Sequence, residues 1–326
     1  MILGIIAMMT ERDKKKLIIL TGPTAVGKTA LSVHLAKAVN GEIISADSVQ
    51  VYRYLDIGSA KVTQKEMQGI PHHLINVLDP TEEFSVAAFQ RLARKAMEEI
   101  YARGHVPVIV GGTGFYIQAV LYDIDFAQTE DDGYRAYLEQ LYNDEGADAL
   151  YDILLKKDPA SANNIHKNNV KRVIRALEYE HQTGQQISTH NAVEREKTSP
   201  YNFAYFVLNC DRAKLYERIE QRVDIMMEQG LVDEVKSLVS GYGLSRDMVS
   251  MQGLGYKEIL QYLDGEISLD EAVYILKRDT RHFAKRQLTW FRRERDVIWV
   301  DKDQLVSEEE QLDFMLAALQ DRKIIS

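Results

Sequence analysis

Apolar residues along this chain alternate between short unbroken runs and longer stretches in which they recur every three or four positions. Leu17 to Leu20, the run opening at Gly41, Val106 to Val110 and Ala204 to Leu208 are each of strand length. A run that is apolar at nearly every position suits a strand buried on both faces. Between them, Ala30, Leu31, Val33, Leu35, Ala36 and Val39, and then Val86, Phe89, Leu92, Ala93, Ala96 and Ile100, keep helical spacing. This alternation predicts an α/β fold, a parallel sheet flanked by helices.

The alternation lapses at about Asp123. Tyr134 to Tyr142, Ala147 to Lys156 and Asn169 to His181 read as successive helices, the last closed by Gly184, and no strand returns until Phe203. We expect an inserted all-helical subdomain at 126–200 within a core formed by 17–125 and 201–326. The core continues with an amphipathic stretch from Asp211 to Val239, broken at Gly230, and a glycine-rich turn at Gly253 to Glu258. A long helix follows, opened by a Ser268/Glu271 capping box, then a strand at Val297 to Val300 and a helix from Ser307 to Leu319.

Composition narrows the class. At 326 residues and 45% hydrophobic, the chain can bury a sizeable core. Cys210 is its single cysteine, so no internal disulfide forms, and no zinc-ligand spacing occurs. Residues 1–16 hold an apolar run too short to span a membrane and without the charged leader of a signal peptide. They read as a disordered extension of a cytosolic protein with no membrane partner, which we expect to be a monomer. The paired His72 and His73 read as packing or hydrogen-bonding residues, since neighbours on a strand point apart.

Candidate chemistry begins directly after the first strand. Gly22 to Thr29 spell G-P-T-A-V-G-K-T, a phosphate-cradling P-loop in its required place between a strand and a helix. Gly22 and Gly27 let the turn aim its N–H groups at an anion, with Pro23, Thr24, Ala25 and Val26 completing the loop. Lys28 adds a point charge, and the Thr29 hydroxyl can ligate the Mg2+ that accompanies a di- or triphosphate. The second strand runs into Asp47, Ser48, Val49 and Gln50, at the carboxyl edge where open parallel sheets bind ligands. The strand at Val106 to Val110 ends in Gly111-Gly112-Thr113-Gly114 and not in the acid with which many P-loop ATPases hold magnesium. The backbone there must approach something closely.

Net charge is −9, yet basic residues cluster. The third helix of the insertion carries Lys171, Arg172 and Arg175. The segment Lys277 to Arg295 carries Lys277, Arg278, Arg281, Lys285, Arg286, Arg292, Arg293 and Arg295 against Asp279 and Glu294. Such a strip suits a polyanionic partner. The residues alone leave two classes open: a kinase-like phosphotransferase, and a transferase that holds a diphosphate leaving group and works on a nucleic acid.

Seven motifs in order resemble those of the bacterial tRNA dimethylallyltransferases: G-P-T-A-V-G-K-T (22–29), A-D-S-V-Q-V-Y-R (46–53), G-G-T-G-F-Y (111–116), V-K-R-V-I-R-A-L-E (170–178), R-I-E-Q-R-V-D-I-M (218–226), G-L-G-Y-K-E (253–258) and A-K-R-Q-L-T-W-F-R (284–292). The resemblance runs from Leu17 over nearly the whole chain; the C-terminal zinc finger common in the eukaryotic branch is absent. It implies a P-loop NTPase-like fold and transfer of the dimethylallyl group of dimethylallyl diphosphate to the exocyclic amine of the adenosine 3′ of the tRNA anticodon. It implies Asp47 as general base, Thr24 at the bridging oxygen, and Lys28 and Arg222 on the diphosphate, with Arg218 on the same helix face. Thr113 and Arg135 match the family's positions near the reacting tRNA; with that substrate, Gln50, beside Ser48 and Val49, can hydrogen-bond the adenine edge, and Lys171, Arg172, Arg175, Lys285, Arg286 and Arg292 can meet the phosphates of the anticodon stem-loop. An adenylate isopentenyltransferase acting on free AMP or ATP needs neither insertion nor basic strip.

Overall fold

The computed structural model describes residues 14–126 and 132–326. Most of the proposed leader, and Glu130 and Asp131 of the acidic cluster before the insertion, lie outside them. The chain forms two compact units, one running to Leu121 and resuming at Pro200, the other Tyr122–Ser199.

The larger unit is built on a six-stranded sheet. Its strands are β1 (Lys15–Thr21), β2 (Gly41–Ala46), β3 (His72–His73), β4 (Val106–Gly111), β5 (Tyr201–Asn209) and β6 (Val297–Asp301). They lie in the order β3-β2-β4-β1-β5-β6 and every neighbouring pair is parallel. Leu17 to Leu20 in β1 and Ala204 to Leu208 in β5 are completely buried, as strands covered by helices on both faces should be. β1 opens at Lys15, two residues before the apolar run. Lys15 and Lys16 are therefore strand and not extension: the ladder pairs them with Tyr201 and Asn202 although their side chains stay exposed.

Helices Lys28–Ala38 and Val86–Ala102 follow the strands as the spacing predicts, the second capped by Ser85, whose hydroxyl accepts the Ala88 N–H. Gly230 breaks the next stretch into Arg212–Glu228 and Leu231–Tyr242. Ser268 accepts the Glu271 N–H at the head of the long helix Leu269–Phe291. The C-terminal helix Glu308–Asp321 carries the full capping box between Ser307 and Glu310.

The two-residue β3 is too short to read from periodicity. Its His73 Nε2 meets Glu42 at 2.7 Å, while Arg103 grips the same carboxylate through Nε and Nη2, both at 2.8 Å, and His105 adds a contact at 2.7 Å. Glu42 is 1% exposed, and the hydrogen bonds it accepts, that from Arg103 first, hold its pKa down at about 2. A carboxyl depressed in the folded state stabilises the fold above its ordinary pKa, and that contribution is lost as pH falls from about 4.5 towards 2. We expect Glu42→Gln to cost about 1–2 kcal/mol at pH 7, where it removes the charge that accepts from the half-exposed Arg103 and from His73 and His105. The loss should shrink in acid unfolding titrations below pH 3; an equal loss at pH 7 and pH 2.5 would count against the ion cluster.

The smaller unit is entirely helical among its described residues: Tyr134–Glu145, Ala147–Lys157, Pro159–Asn164, Val170–Thr183 and Ile187–Glu196. Leu138, Leu150, Leu154, Val173 and Leu177 form its core at 0% exposure. Pro159–Asn164 and Ile187–Glu196 were not evident from spacing. Buried Asp158 joins them, accepting the Ser161 and Ser188 N–H and hydroxyl groups at 2.6–3.0 Å.

Candidate active site

One cavity of about 410 Å³ opens at the carboxyl edge of the sheet in the larger unit. It is lined by the P-loop residues Thr24, Ala25, Gly27, Lys28 and Thr29, by Asp47, Ser48, Val49 and Gln50 after β2, and by Gly111, Gly112 and Thr113 after β4. Arg222, Gly253 and Arg286 complete the wall from elements far along the chain.

Local conformation explains the P-loop sequence. Gly22 sits at φ +147° and Gly27 at φ +94°, and a β-carbon on Gly22 would lie 2.7 Å from the Leu208 carbonyl of β5. Ala25 also takes φ +62°, an αL conformation that costs a non-glycine residue roughly 1 kcal/mol or more and recurs in ligand loops. Lys28 Nζ donates to the Gly22 and Pro23 carbonyls at 3.0 and 2.8 Å. Burial, reinforced by the nearby Arg222 cation and opposed by Asp47, lowers its pKa to about 7. Arg222, on Arg212–Glu228, is likewise pushed below its ordinary value by burial, and it donates to Thr24 Oγ1 at 3.2 Å. Arg218, one turn earlier, is exposed near Cys210 and Lys302 and does not line the cavity.

Asp47 caps the turn after β2. Its Oδ1 accepts the Val49 and Gln50 N–H groups at 2.8 and 3.2 Å, which fixes the carboxylate and leaves Oδ2 without a partner among the described residues. Gln50 Nε2 is held by the Ser59 and Ala60 carbonyls, both at 3.3 Å. Thr113 begins the helix Gly114–Leu121, its carbonyl accepting the Tyr116 and Ile117 N–H groups.

The glycines after β4 have an identified cause. A β-carbon on Gly111 would stand 2.2 Å from the Ala46 carbonyl, one on Gly112 would stand 2.2 Å from Gln287 Nε2, and one on Gly114 would stand 2.2 Å from Trp290 Nε1. Gln287 and Trp290 belong to the long basic helix. Gln287 went unremarked in the sequence, yet it ties two loops together: its Oε1 accepts the Thr24 N–H at 2.8 Å and its Nε2 donates to the Gly112 carbonyl at 3.0 Å. Its signal was a polar residue in the helix's buried stripe, Ala284, Gln287 and Phe291.

The basic strip divides in two. Lys277 pairs with Asp224 and Arg281 with Glu220, both at about 2.6–2.7 Å, and Arg278 with Asp279, so its first half is neutralised. Lys285, Arg286, Arg292 and Arg293 have no carboxylate partner among the described residues, and Lys285, Arg286 and Arg293 line a second concavity beside Trp290. In the smaller unit, Arg135 grips Glu178 through Nε and Nη2 at 3.0 and 2.8 Å, and Arg175 shares that carboxylate at 3.1 Å. Lys171 and Arg172 are exposed.

Donor chemistry bears on a metal. No group of three or more His, Cys, Asp or Glu suited to a metal occurs among the described residues. The P-loop edge offers the hydroxyl of Thr29, a hard oxygen donor, which fits Mg2+ because that ion keeps several waters and takes phosphate oxygens as ligands. No helix among the described residues is long and apolar enough to cross a membrane.

A model of the IPP transferase family matches residues 50–294, three-quarters of the chain. The chain belongs to the IPP transferase family. It is 59% identical over 310 residues to the tRNA dimethylallyltransferase of Lachnoclostridium phytofermentans, covering 95% of this chain and 99% of that one. Among solved structures it resembles the full-length tRNA isopentenylpyrophosphate transferase of Bacillus halodurans, with 47% identity, TM-score 0.71, and 95% and 98% of the two chains covered. A eukaryotic dimethylallyltransferase captured acting on tRNA matches at TM-score 0.79 and 29% identity, over 95% of this chain and 79% of that one. The six-stranded parallel sheet with its P-loop is the fold these family members share.

Proposed function

We propose that this IPP transferase transfers the dimethylallyl group of dimethylallyl diphosphate to the exocyclic amine of the adenosine 3′ of the tRNA anticodon, with release of diphosphate. The observation that carries the reading is the single cavity in which P-loop, Asp47 and Arg222 meet. A pocket of this size suits one base and a short chain. A small-molecule kinase, open from the residues alone, does not account for the family membership.

The residues divide the work as follows. Lys28, Arg222 and the loop N–H groups hold the diphosphate, on which negative charge grows as the allylic C–O bond breaks. Thr24, fixed between Arg222 and Gln287, presents its hydroxyl at the bridging oxygen. Thr29 would hold Mg2+, which supplies further charge neutralisation to the leaving group. The adenine amine is a poor nucleophile because its lone pair is delocalised into the ring. Asp47 Oδ2 accepts its proton as the N–C bond forms. Gln50 and Thr113 contact the extruded base, and Ser48 and Val49 line its path.

Extruding the base costs a few kcal/mol. Lys171, Arg172, Arg175 and Arg135 of the helical unit, proposed as a tRNA-binding subdomain, and Lys285, Arg286 and Arg292 offset that cost through the stem-loop phosphates. Lys285→Ala and Arg292→Ala should each lower the salt slope of stem-loop binding by about 0.7–0.9; an unchanged slope in filter-binding titrations would remove that residue from the interface. We further propose a cytoplasmic monomer.

The test is to incubate the enzyme with carbon-labelled dimethylallyl diphosphate, and separately with γ-labelled ATP, against unmodified tRNA and against AMP. Label should enter only the tRNA, and only from the allylic donor. Incorporation into AMP would instead indicate an adenylate isopentenyltransferase, and incorporation from ATP a kinase.

A further inference from the structure

Glu234 lies outside the cavity, on the helix Leu231–Tyr242, and has no part in the steps above. Its carboxylate nevertheless accepts four hydrogen bonds. Oε2 accepts the Asp56 and Ile57 N–H groups at 3.2 and 2.7 Å, and Oε1 accepts the Gly58 N–H at 3.1 Å and the Tyr256 hydroxyl at 2.8 Å. Three consecutive amides on one carboxylate fix the course of the backbone. The contact is close: a β-carbon on Gly58 would lie 2.6 Å from Tyr256 Cζ.

The segment so held leads directly to the base-contacting residues. The Ser59 and Ala60 carbonyls, just beyond Gly58, are the two acceptors on Gln50 Nε2. An amide nitrogen can serve two carbonyls and an amide oxygen can serve none, so these carbonyls decide which end of the Gln50 amide they take up. Oε1 is left without a partner among the described residues, on a side chain that lines the cavity. With the amide so turned, Gln50 offers the base an acceptor and no donor. A purine with an exocyclic amine satisfies it; one with an exocyclic carbonyl sets two acceptors against each other.

We infer that Glu234 is a positioning residue that, through residues 56–60 and the Gln50 amide, makes the cavity select an exocyclic amine over an exocyclic carbonyl. The inference rests on the transferase reading and adds a determinant of base choice to it.

The experiment measures binding of anticodon stem-loop RNAs carrying adenosine or inosine at the target position, without allylic donor. The wild type should prefer adenosine by about 10-fold or more, the worth of a matched base-edge contact. Glu234→Ala should reduce that preference at least about 5-fold, as should Gln50→Ala, and the double variant should lose no more than Gln50→Ala alone, because the two act in series. Inorganic diphosphate should bind the Glu234→Ala protein as it binds the wild type. Where Glu234→Ala fails to fold, Tyr256→Phe, which removes only one bond to the carboxylate, should still lower the preference. Retention of the preference in either variant, or additive losses in the double variant, overturns the inference. A wild type that attaches no dimethylallyl group to tRNA overturns the transferase reading instead, so the two failures are distinguishable.

Discussion

Asp47→Ala should lower the rate of dimethylallyl transfer by about 10²–10⁴-fold, the range general-base removal commonly costs. The expectation follows from how the carboxylate is held. Oδ1 is bound by the Val49 and Gln50 amides, so rotation is restricted and Oδ2 is the oxygen free to take a proton. Asp47→Asn separates the roles: it can keep the amide contacts through its side-chain oxygen while placing an NH2 group, which cannot accept a proton, where Oδ2 stood. Asn and Ala variants should therefore share the loss in kcat, while stem-loop affinity stays within a few-fold of wild type in both. Single-turnover rates with preformed enzyme–tRNA complex check this. Turnover near normal in Asp47→Asn would show that the amine loses its proton elsewhere.

The second large effect concerns Lys28. Burial, with the Arg222 cation beside it, lowers its pKa in the protein alone to about 7, so part of the population is deprotonated at neutral pH. A bound diphosphate favours the charged form and raises that pKa, so binding above pH 7 must take up a proton. The sign is definite: a group protonated more fully in the complex makes affinity fall as pH rises, up to tenfold per unit above pH 7. Calorimetry with inorganic diphosphate in buffers of differing ionisation enthalpy should show uptake approaching one proton per site at pH 8, beyond that of the ligand itself. Lys28→Arg should abolish this uptake while keeping a cation. Lys28→Ala should abolish it and weaken binding about 10- to 100-fold, the worth of one charge-assisted hydrogen bond. Equal proton uptake in wild type and Lys28→Arg would mean that Lys28 does not titrate on binding.

What the sequence disclosed, and what it withheld, follows from the range of each interaction. The P-loop conformation was legible because it is local: strand, turn and helix are contiguous, and the glycines mark the turn. The central strands were legible because parallel strands buried on both faces leave unbroken apolar runs. Asp47 was legible from its position at the end of such a strand. Gly111-Gly112-Thr113-Gly114 told only that something approaches; that Ala46 of the adjacent strand crowds Gly111 depends on the strand order, and that Gln287 and Trp290 crowd Gly112 and Gly114 depends on a helix more than 160 residues away. The same distance hid Gln287 and Glu234, whose roles consist of bonds to remote loops. The basic helix looked uniformly available in sequence, but Glu220 and Asp224 on a neighbouring helix neutralise part of it. Pairing between helices leaves no periodic trace. The helices Pro159–Asn164 and Ile187–Glu196 are too short or too polar for spacing to reveal.

A P-loop alone suggests phosphoryl transfer; in the proposed function its cargo is a leaving group. The most direct test of that claim is a donor labelled twice, with carbon label in the dimethylallyl chain and phosphorus label in the diphosphate, incubated with unmodified tRNA. Carbon label should appear in the RNA and phosphorus label in free diphosphate, in one-to-one ratio and at the same rate. Phosphorus label in the RNA, or diphosphate released without carbon transfer, would contradict it.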